Sequence, residues 1–536
     1  MTQREDLRRD PSEALSTDES PRGETESTVA RIFGEMLGIS SLPRMASLFD
    51  LGLDSLAVTV ACARLEQATG VRVRFTQLFK TPTVAQLATW IDTRSGANGG
   101  PQTPDLPPAD KSAELVAITP MQAQTVPMDI VPRFAWWFDG RVDEVALATA
   151  ATDVHRRHQA LYARYLYEPD LGLAEVPSDP GQARFQQLPE QEDDGTASDA
   201  LWQALEQPLH IDQGEVWRCA IVRSRQSGRT LFGLAAHHAA FDGRALEILT
   251  AELSTAYSAR TTGSAPRWPG RTASLAEMAA DFRHQLAAQD AEAQRRYWLD
   301  ELRDLPPCQL PGRNDISPQP SGPAADFSFT LSQKQLRPWD EYASAHGIPS
   351  SVGMVAVYVQ SLIRAGAPRD LGLMVTIGNK AGAVIDGTIT TRVGNILLRP
   401  NGPSRSGPHL LARIRDSYLE GMAARDVLLD MKQMADILGE SGGLEDMFIG
   451  KPAVVYNSMP ALSLGSNTGV MDSKMDEWSA CVHAFLLEVL PISDGLEMHM
   501  VVRTDLYDAS LSDQLGQHFA EIIENGPGQL ELETAR

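Results

Sequence analysis

A polar linker divides this chain into two parts of very different size. Residues 95–113 read "SGANGGPQTPDLPPADKSA", and this mixture of glycine, proline and polar side chains is typical of linkers rather than packed elements. Because 536 residues exceed the usual size of one domain, we predict a small domain over residues 24–94 and a large region over residues 114–536. The polar leader, residues 1–23, has the composition of a disordered segment.

The small domain has the pattern of packed helices. Apolar residues recur at helical spacing in its first segment, at Val29, Ile32, Phe33, Met36 and Leu37. The pattern predicts further helices over residues 55–69 and 83–92. We therefore expect an all-α domain of three or four helices.

The large region alternates between two kinds of pattern. Short apolar stretches with strand character, such as "RFAWWFDG", "VWRCAIVRS" and "RTLFGLAAHH", are interleaved with longer stretches that have helical spacing. A second series of the same kind follows further along the chain. Strands interleaved with helices predict an α/β (α+β) architecture in two lobes, which we assign to residues 114–285 and 286–536.

Charge and composition exclude several classes of function. The formal net charge of −23 disfavours nucleic acid and anionic membranes as partners, because both would repel such a surface. The chain has no apolar run long enough to span a bilayer, and its N-terminus lacks the apolar stretch of a signal peptide. The four cysteines, Cys62, Cys219, Cys308 and Cys481, lie far apart. We therefore expect a cytoplasmic protein with reduced thiols.

A serine stands at the start of a predicted helix in the small domain. Ser55 follows "FDLGLD" directly and precedes an apolar-periodic stretch. One interpretation is an ordinary first-turn or N-cap serine. The other is an attachment point for a phosphodiester, because unpaired N–H groups and the helix dipole favour negative charge at a helix N-terminus.

The stretch "LFGLAAHHAAFDGRALEIL" carries two adjacent histidines at the end of a predicted strand. Because successive side chains on a strand point to opposite faces, His237 and His238 cannot both face one cavity. Asp242 and Gly243 then form the turn into a helix, where an aspartate is also an ordinary cap. Adjacent histidines diverge and no third ligand has suitable spacing, so we predict no metal site.

The small domain resembles acyl or peptidyl carrier proteins. The resemblance lies in "FDLGLDSLAVTVACARLE" and the following "VRVRFTQLFKTPTVAQLATWI", and it covers nearly all of residues 24–94. It implies a four-helix carrier domain with 4′-phosphopantetheine attached covalently to Ser55. In such a domain the serine holds a thioester-bound substrate at the end of a swinging arm and is not a nucleophile.

The large region resembles the condensation domains of nonribosomal peptide synthetases, which are relatives of the chloramphenicol acetyltransferase fold. Its residues 237–243 match the signature H-H-x-x-x-D-G, and further fragments agree in order: "AITPMQ", "RHQAL", "RRYWLDELRDLPP" and "VRTDLYDASLSDQLGQHFAEII". The chain also departs from the pattern, with Tyr162 and Arg244-Ala245 where arginine and Trp-Ser are common. The fragments "RVGNILLRP" and "AVVYNSMP" match only loosely.

The condensation resemblance implies amide formation between a carrier-bound thioester and an amine. His238 would face the tunnel and deprotonate or position the amine, a task suited to a group that titrates near neutral pH. His237 would be structural, Asp242 would pair with an arginine and shape the loop, and Gly243 would help to line the tunnel.

The same resemblance implies partners. An adenylation enzyme and a phosphopantetheinyl transferase would act in trans, since the sequence shows no adenylation domain on either side of the carrier. Other carrier proteins or synthetase subunits would dock here, and the acceptor would be carrier-bound or a free small-molecule amine. A free acceptor would make the step product-releasing.

Three alternatives stay open at this point. Epimerisation domains share the fold and the histidine pair and also follow carriers, although "RVGNILLRP" looks more like the condensation form. A hydroxyl acceptor would give an ester in place of an amide. A non-catalytic platform that recruits tailoring enzymes to the carrier is the third alternative, and the intact histidine pair argues against it.

Overall fold

The computed structural model describes the greater part of the large region and selected parts of the small domain. The described residues are 20–37, 39, 42–45, 65, 68–69, 71, 73, 81, 83–95, 115–126, 130–166, 172–287, 290–314, 322–378, 383–402, 405, 409–425, 451–457, 459–472, 480–528 and 530. The described residues do not include Ser55, Cys62 or most of the helix expected over residues 55–69.

Two helices of the small domain are described, α1 (Gly23–Leu37) and α2 (Val84–Ser95). They pack on each other through apolar side chains that include Phe33 and Leu87, both fully buried. Of the predicted stripe, Val29, Ile32 and Phe33 are buried, as expected for apolar side chains that helical spacing places on one face of α1.

The first part of the large region is built on a five-stranded sheet in the order β14 (Val470–Met471), β2, β7, β6 and β5. Four of its strands come from this part: β2 (Arg133–Phe138), β5 (Arg184–Gln187), β6 (Trp217–Arg223) and β7 (Thr230–Ala236). A separate small sheet contains β1 (Leu115–Ala117), β3 (Arg164–Leu166) and β4 (Leu173–Glu175). The helices are α3 (Pro120–Thr125), α4 (Glu144–Arg157), α5 (Asp194–Leu205), α6 (Gly243–Thr261) and α7 (Leu275–Ala287).

Both faces of the five-stranded sheet are covered, which explains why its central strands are almost continuously apolar. Phe232 and Leu234 pack on the side of α4 and α6, while Leu231 and Ala235 pack on the side of α5. Every residue of β7 is buried. A strand between two covered faces does not show the alternation of a half-exposed strand.

The second part contains a seven-stranded sheet in the order β10-β9-β11-β16-β17-β8-β15. Its strands are β8 (Gly322–Ser332), β9 (Leu373–Gly378), β10 (Val393–Leu398), β11 (Ala453–Tyr456), β15 (Ala480–Cys481), β16 (Phe485–Ile492) and β17 (Gly495–Arg503). The helices are α8 (Ala291–Leu302), α9 (Gln333–Ala345), α10 (Ser350–Arg364), α11 (Ala383–Asp386), α12 (Leu410–Ala423) and α13 (Ser510–Asn525).

One strand of the second part belongs to the sheet of the first. After the hairpin β12 (Ser463–Leu464) and β13 (Asn467–Thr468), β14 (Val470–Met471) pairs antiparallel with β2. Asp472 reinforces the pairing of β14 with β2, because its Oδ2 accepts a 2.8 Å hydrogen bond from Trp137 Nε1. The lobe boundary between residues 285 and 286 stays a prediction. β14 lies after that boundary and still belongs to the first sheet.

Membrane-spanning helices and disulfides can be checked in the described residues. Within the described ranges, none of the helices combines the length and apolar character needed to cross a bilayer. Three of the cysteines, Cys219, Cys308 and Cys481, are buried as thiols, and none of these three takes part in a disulfide.

Candidate active site

The two histidines directly after β7 lie in different environments. His237 is 4% exposed, donates its backbone N–H to Val216 O over 2.9 Å, and accepts a 3.1 Å hydrogen bond from Ala239 N–H at Nδ1. His238 is only partly buried. The structure therefore packs the first ring into the protein and leaves the second ring accessible.

Hydrogen bonding fixes the tautomer of His238. Its Nδ1 lies 2.6 Å from Phe241 O, and a carbonyl oxygen only accepts, so Nδ1 carries the proton. No described residue forms a hydrogen bond with Nε2, which keeps its lone pair. The backbone N–H of His238 donates to Ile130 O over 2.9 Å, so the turn itself is held in place. The ring presents a proton acceptor in a fixed orientation.

Asp242 uses both carboxylate oxygens within the protein. It is 5% exposed; Oδ1 accepts a 2.8 Å hydrogen bond from Ala245 N–H and caps α6, and Oδ2 accepts a 2.7 Å bond from Arg392 N–H. The resemblance implied pairing with an arginine, and the structure shows that the arginine contributes its backbone amide. The guanidinium of Arg392 contacts Asp386 at 3.3 Å instead.

Residues 386–392, which we call the crossing segment, form hydrogen bonds with all three sequence motifs of the first lobe. Gln122 Nε2 donates to Thr390 Oγ1 over 3.1 Å, and His158 Nδ1 accepts a 3.0 Å bond from Ile389 N–H. Asp242 holds Arg392 as described. The fragments "AITPMQ", "RHQAL" and the histidine signature, far apart in sequence, thus converge on one segment of the second lobe.

His158 is held in its neutral form. Burial lowers its pKa below the ordinary value, and the hydrogen bond and charge of Glu252 offset this only in part. Its Nε2 donates to Glu252 Oε2 over 2.7 Å while Nδ1 accepts from Ile389. One ring nitrogen donates and the other accepts, which is the bonding capacity of neutral imidazole. His158 is a buried connector and not a free base.

The second lobe contributes Asn457, which sequence reasoning did not single out. A Cβ built on Gly243 would stand 3.8 Å from Asn457 Oδ1, which is an ordinary van der Waals distance. Asn457 Oδ1 therefore lies next to the turn at Gly243. The only signal was its place in "AVVYNSMP", immediately after the apolar stretch that forms β11.

A polar group lies behind Asn457 in the second sheet. Asn457 Nδ2 donates to Glu488 Oε1, and Glu488 is paired across the strands with His499. His499 Nδ1 donates to Asp326 Oδ2 over 3.1 Å. Burial opposes protonation of this ring, but Asp326 and the charges of Glu488 and Glu497 outweigh burial and raise the His499 pKa. Polar residues inside the apolar runs "FLLEVLPI" and "LEMHMVVR" are the signal that could have revealed this group.

Among the described residues, no group of three or more His, Cys, Asp or Glu side chains is arranged to hold a metal ion. The turn that contains the histidines offers the Nε2 lone pair of His238, and Asn457 offers an amide oxygen next to Gly243. This set suits proton transfer from a nucleophile.

Family models identify both parts of the chain. Residues 133–531 match the model described as "Condensation domain", and residues 27–91 match the model described as "Phosphopantetheine attachment site". The chain belongs to the condensation-domain family. Its condensation domain follows a carrier domain of the class to which 4′-phosphopantetheine is attached covalently. Ser55 lies inside the matched carrier range and outside the described residues.

Curated relatives are much longer proteins. The probable non-canonical nonribosomal peptide synthetase CymA of Salinispora arenicola is 24% identical over 94% of this chain, and the match covers 7% of that protein. The dimodular nonribosomal peptide synthase of Bacillus subtilis is 23% identical over 95% of this chain and is covered to 22%. The chain thus spans a small part of the length of the relatives it matches.

Solved structures share the fold of the condensation domain. The X-domain from teicoplanin biosynthesis superposes with a TM-score of 0.66 at 18% identity, covering 79% of this chain and 98% of that one. The first condensation domain of the calcium-dependent antibiotic (CDA) synthetase gives 0.58 at 18% identity, covering 76% and 95%. These similarities establish the architecture, and they leave the chemistry to the residues described above.

Proposed function

We propose that this chain catalyses amide-bond formation between an acyl thioester carried on Ser55 and an amine acceptor, in the biosynthesis of a secondary metabolite. The observation that carries the proposal is the His238 ring: it is accessible, its Nδ1 is committed to Phe241 O, and its Nε2 lone pair is available. The 4′-phosphopantetheine arm on Ser55 would supply the acyl group as an activated thioester.

The residues of the first lobe perform distinct tasks in this reaction. His238 Nε2 accepts the proton that the amine nitrogen loses as its lone pair attacks the acyl carbon, and His238 returns a proton to the thioester sulfur when the C–S bond breaks. His237 anchors the end of β7, and Asp242 caps α6 and holds the crossing segment. Gly243 would line the approach beside Asn457, whose Oδ1 lies 3.8 Å from the position of a Cβ on Gly243.

The carrier domain and its partners complete the proposal. Residues 24–94 would form the four-helix bundle of a carrier, loaded by an adenylation enzyme and modified by a phosphopantetheinyl transferase, both in trans. Other carrier proteins or synthetase subunits would supply the acceptor when it is not a free small molecule. A cytoplasmic location suits reduced thiols such as that of Cys481, where burial raises the pKa to about 11.

Intact mass spectrometry tests this proposal. The purified protein is treated with a phosphopantetheinyl transferase and octanoyl coenzyme A, and the mass gain is expected on the native chain and not on Ser55→Ala. A panel of amines is then added, and loss of the octanoyl mass with formation of octanoyl amide is the expected result. Stable octanoyl protein with every amine, indistinguishable from His238→Ala, would contradict the proposal.

Epimerisation predicts a different mass change. An aminoacyl group loaded on the carrier would take up solvent deuterium at its α-position with no amine present. Under the condensation proposal, deuterium uptake stays at the background level of His238→Ala.

A recruitment platform is the second candidate function, and one observation favours it. The X-domain of teicoplanin biosynthesis, which has also been solved in complex with OxyB, is among the structures that share this fold. If His238→Ala left product formation unchanged while deletion of the condensation domain abolished tailoring of the carrier-bound substrate, the platform would be the function.

A further inference from the structure

Hydrogen bonds to the neighbouring strand β16 fix the orientation of the Asn457 side-chain amide. Its backbone N–H donates to Val489 O over 3.1 Å, and its side-chain Nδ2 donates to Glu488 Oε1. A carboxylate has no proton to give, so the NH2 end of the amide must face Glu488. The oxygen end, Oδ1, is the atom that lies 3.8 Å from where a Cβ on Gly243 would stand.

Glu488 is itself held in place. It is 6% exposed, and in the sheet it lies opposite His499, whose ring is 1% exposed and bonded to Asp326. A carboxylate in such a position keeps one orientation because its neighbours are fixed strands on both sides. The direction in which Asn457 Oδ1 points is therefore determined by the register of three adjacent strands, β11, β16 and β17.

The turn from β7 to α6 thus has one hydrogen-bond acceptor at its start, His238 Nε2, and another beside Gly243 at its end, Asn457 Oδ1. His238 Nε2 comes from the first lobe and Asn457 Oδ1 from the second. We propose that Asn457 Oδ1 accepts a hydrogen bond from the incoming nucleophile and that Glu488 is the positioning residue for it, so that the site selects amines over alcohols. This inference rests on the proposed acyl transfer and decides between its amide and ester forms.

The selection follows from the number of protons on the nucleophile. A primary amine has two N–H bonds, one for Nε2 and one for Oδ1, and its lone pair remains free to attack the acyl carbon. An alcohol has a single O–H, so one of the two acceptors would lose its partner. Leaving a desolvated acceptor unpaired is costly, which is how enzymes reject a substrate that lacks one hydrogen-bonding group.

The test uses a matched pair of acceptors on the full-length, phosphopantetheinylated and octanoyl-loaded protein. The pair is L-alaninamide and L-lactamide, which differ in the amine and the hydroxyl. The native chain is expected to react faster with L-alaninamide, and Asn457→Ala is expected to lower kcat/KM for L-alaninamide about ten-fold and for L-lactamide by less than about two-fold. Equal losses with both acceptors would overturn the inference, because a purely structural role does not discriminate between them.

A double-substitution cycle tests the role of Glu488. Glu488→Gln alone is expected to lower the L-alaninamide rate several-fold, since a glutamine amide no longer dictates which end of Asn457 faces it. Combined with Asn457→Ala it is expected to add no further loss, because Glu488 acts through Asn457. Additive losses would overturn the positioning role.

Glu497→Gln is the control for the loss of a carboxylate near His499, which lies 3.9 Å from Glu497. It is expected to leave the preference between the two acceptors unchanged, and a shift equal to that of Glu488→Gln would also overturn the positioning role. Failure of the proposed function has a separate signature, since the native chain would then release no octanoyl group to either acceptor in a His238-dependent manner.

Discussion

The two lobes of the condensation domain build their sides of the site by different means. In the first lobe, a strand and a tight turn fix His238 within a few residues, through Phe241 O at 2.6 Å. In the second lobe, Asn457 is fixed through Glu488 and His499, which lie on neighbouring strands far along the chain. The first arrangement is local and the second depends on sheet register, so the two sides should respond differently to substitution.

The two lobes also shift the pKa of a buried histidine in opposite directions. His158 in the first lobe has a lowered pKa because burial dominates, whereas three carboxylates around His499 in the second lobe raise its pKa despite burial. The first ring serves as a neutral connector between lobes, and the second stabilises a group of acidic side chains. The surroundings thus shift the pKa of the same residue type in opposite directions in the two sheets.

The largest effect on stability is expected for Asp242→Ala. The substitution removes the cap of α6 and leaves the N–H of the partly buried Arg392 without its partner, which should cost about 3 kcal/mol. Urea denaturation of the variant measures the loss. Asp143→Ala is the matched control, because Asp143 caps α4 through Ala146 N–H at 3.0 Å from an exposed position; a loss of about 1 kcal/mol is expected there. Equal losses would show that the crossing segment does not depend on Asp242.

The two buried histidines are expected to give opposite pH dependences. The pKa of His158 is lowered in the fold, so its contribution to stability is present above its ordinary value of 6.5 and is lost as pH falls below it. The pKa of His499 is raised, so its contribution is present below 6.5 and is lost as pH rises through the folded value. The melting-temperature deficit of His158→Gln should therefore grow from pH 5.5 toward pH 8, while that of His499→Gln should shrink. Deficits that change in the same direction would remove the contrast between the lobes.

The smallest effect is expected for Arg244→Ala. Arg244 pairs with Glu247 at 2.6 Å and with Asp386 at 3.2 Å, but its side chain is 19% exposed and the backbone bonds of the crossing segment remain without it. The loss of stability should stay within about 1 kcal/mol, the ordinary range of accessible ion pairs. Acyl transfer should change less than about two-fold. A loss as large as that of Asp242→Ala would mean that ion pairs, and not backbone hydrogen bonds, hold the crossing segment.

The sequence predicted the local parts of this molecule. The helix face of α1, the strand β7 and the turn at Asp242 all follow from periodicity and from the chemistry of short segments. Asn457, Glu488 and the crossing segment could not be read in the same way, because their contacts depend on which strands become neighbours. β14 is a further example: two residues of the second lobe complete the first sheet, and nothing in "VM" indicates that partner.

The most direct test of the account is a single-turnover measurement on the octanoyl-loaded carrier. Native protein and His238→Ala are loaded to the same extent on Ser55, mixed with L-alaninamide, and sampled for octanoyl loss and octanoyl amide formation. The account predicts equal loading and a rate at least about 100-fold lower for His238→Ala, the usual contribution of a positioned acid–base group. Equal rates for the two proteins would show that the accessible imidazole of His238 takes no part in the reaction and would contradict the account.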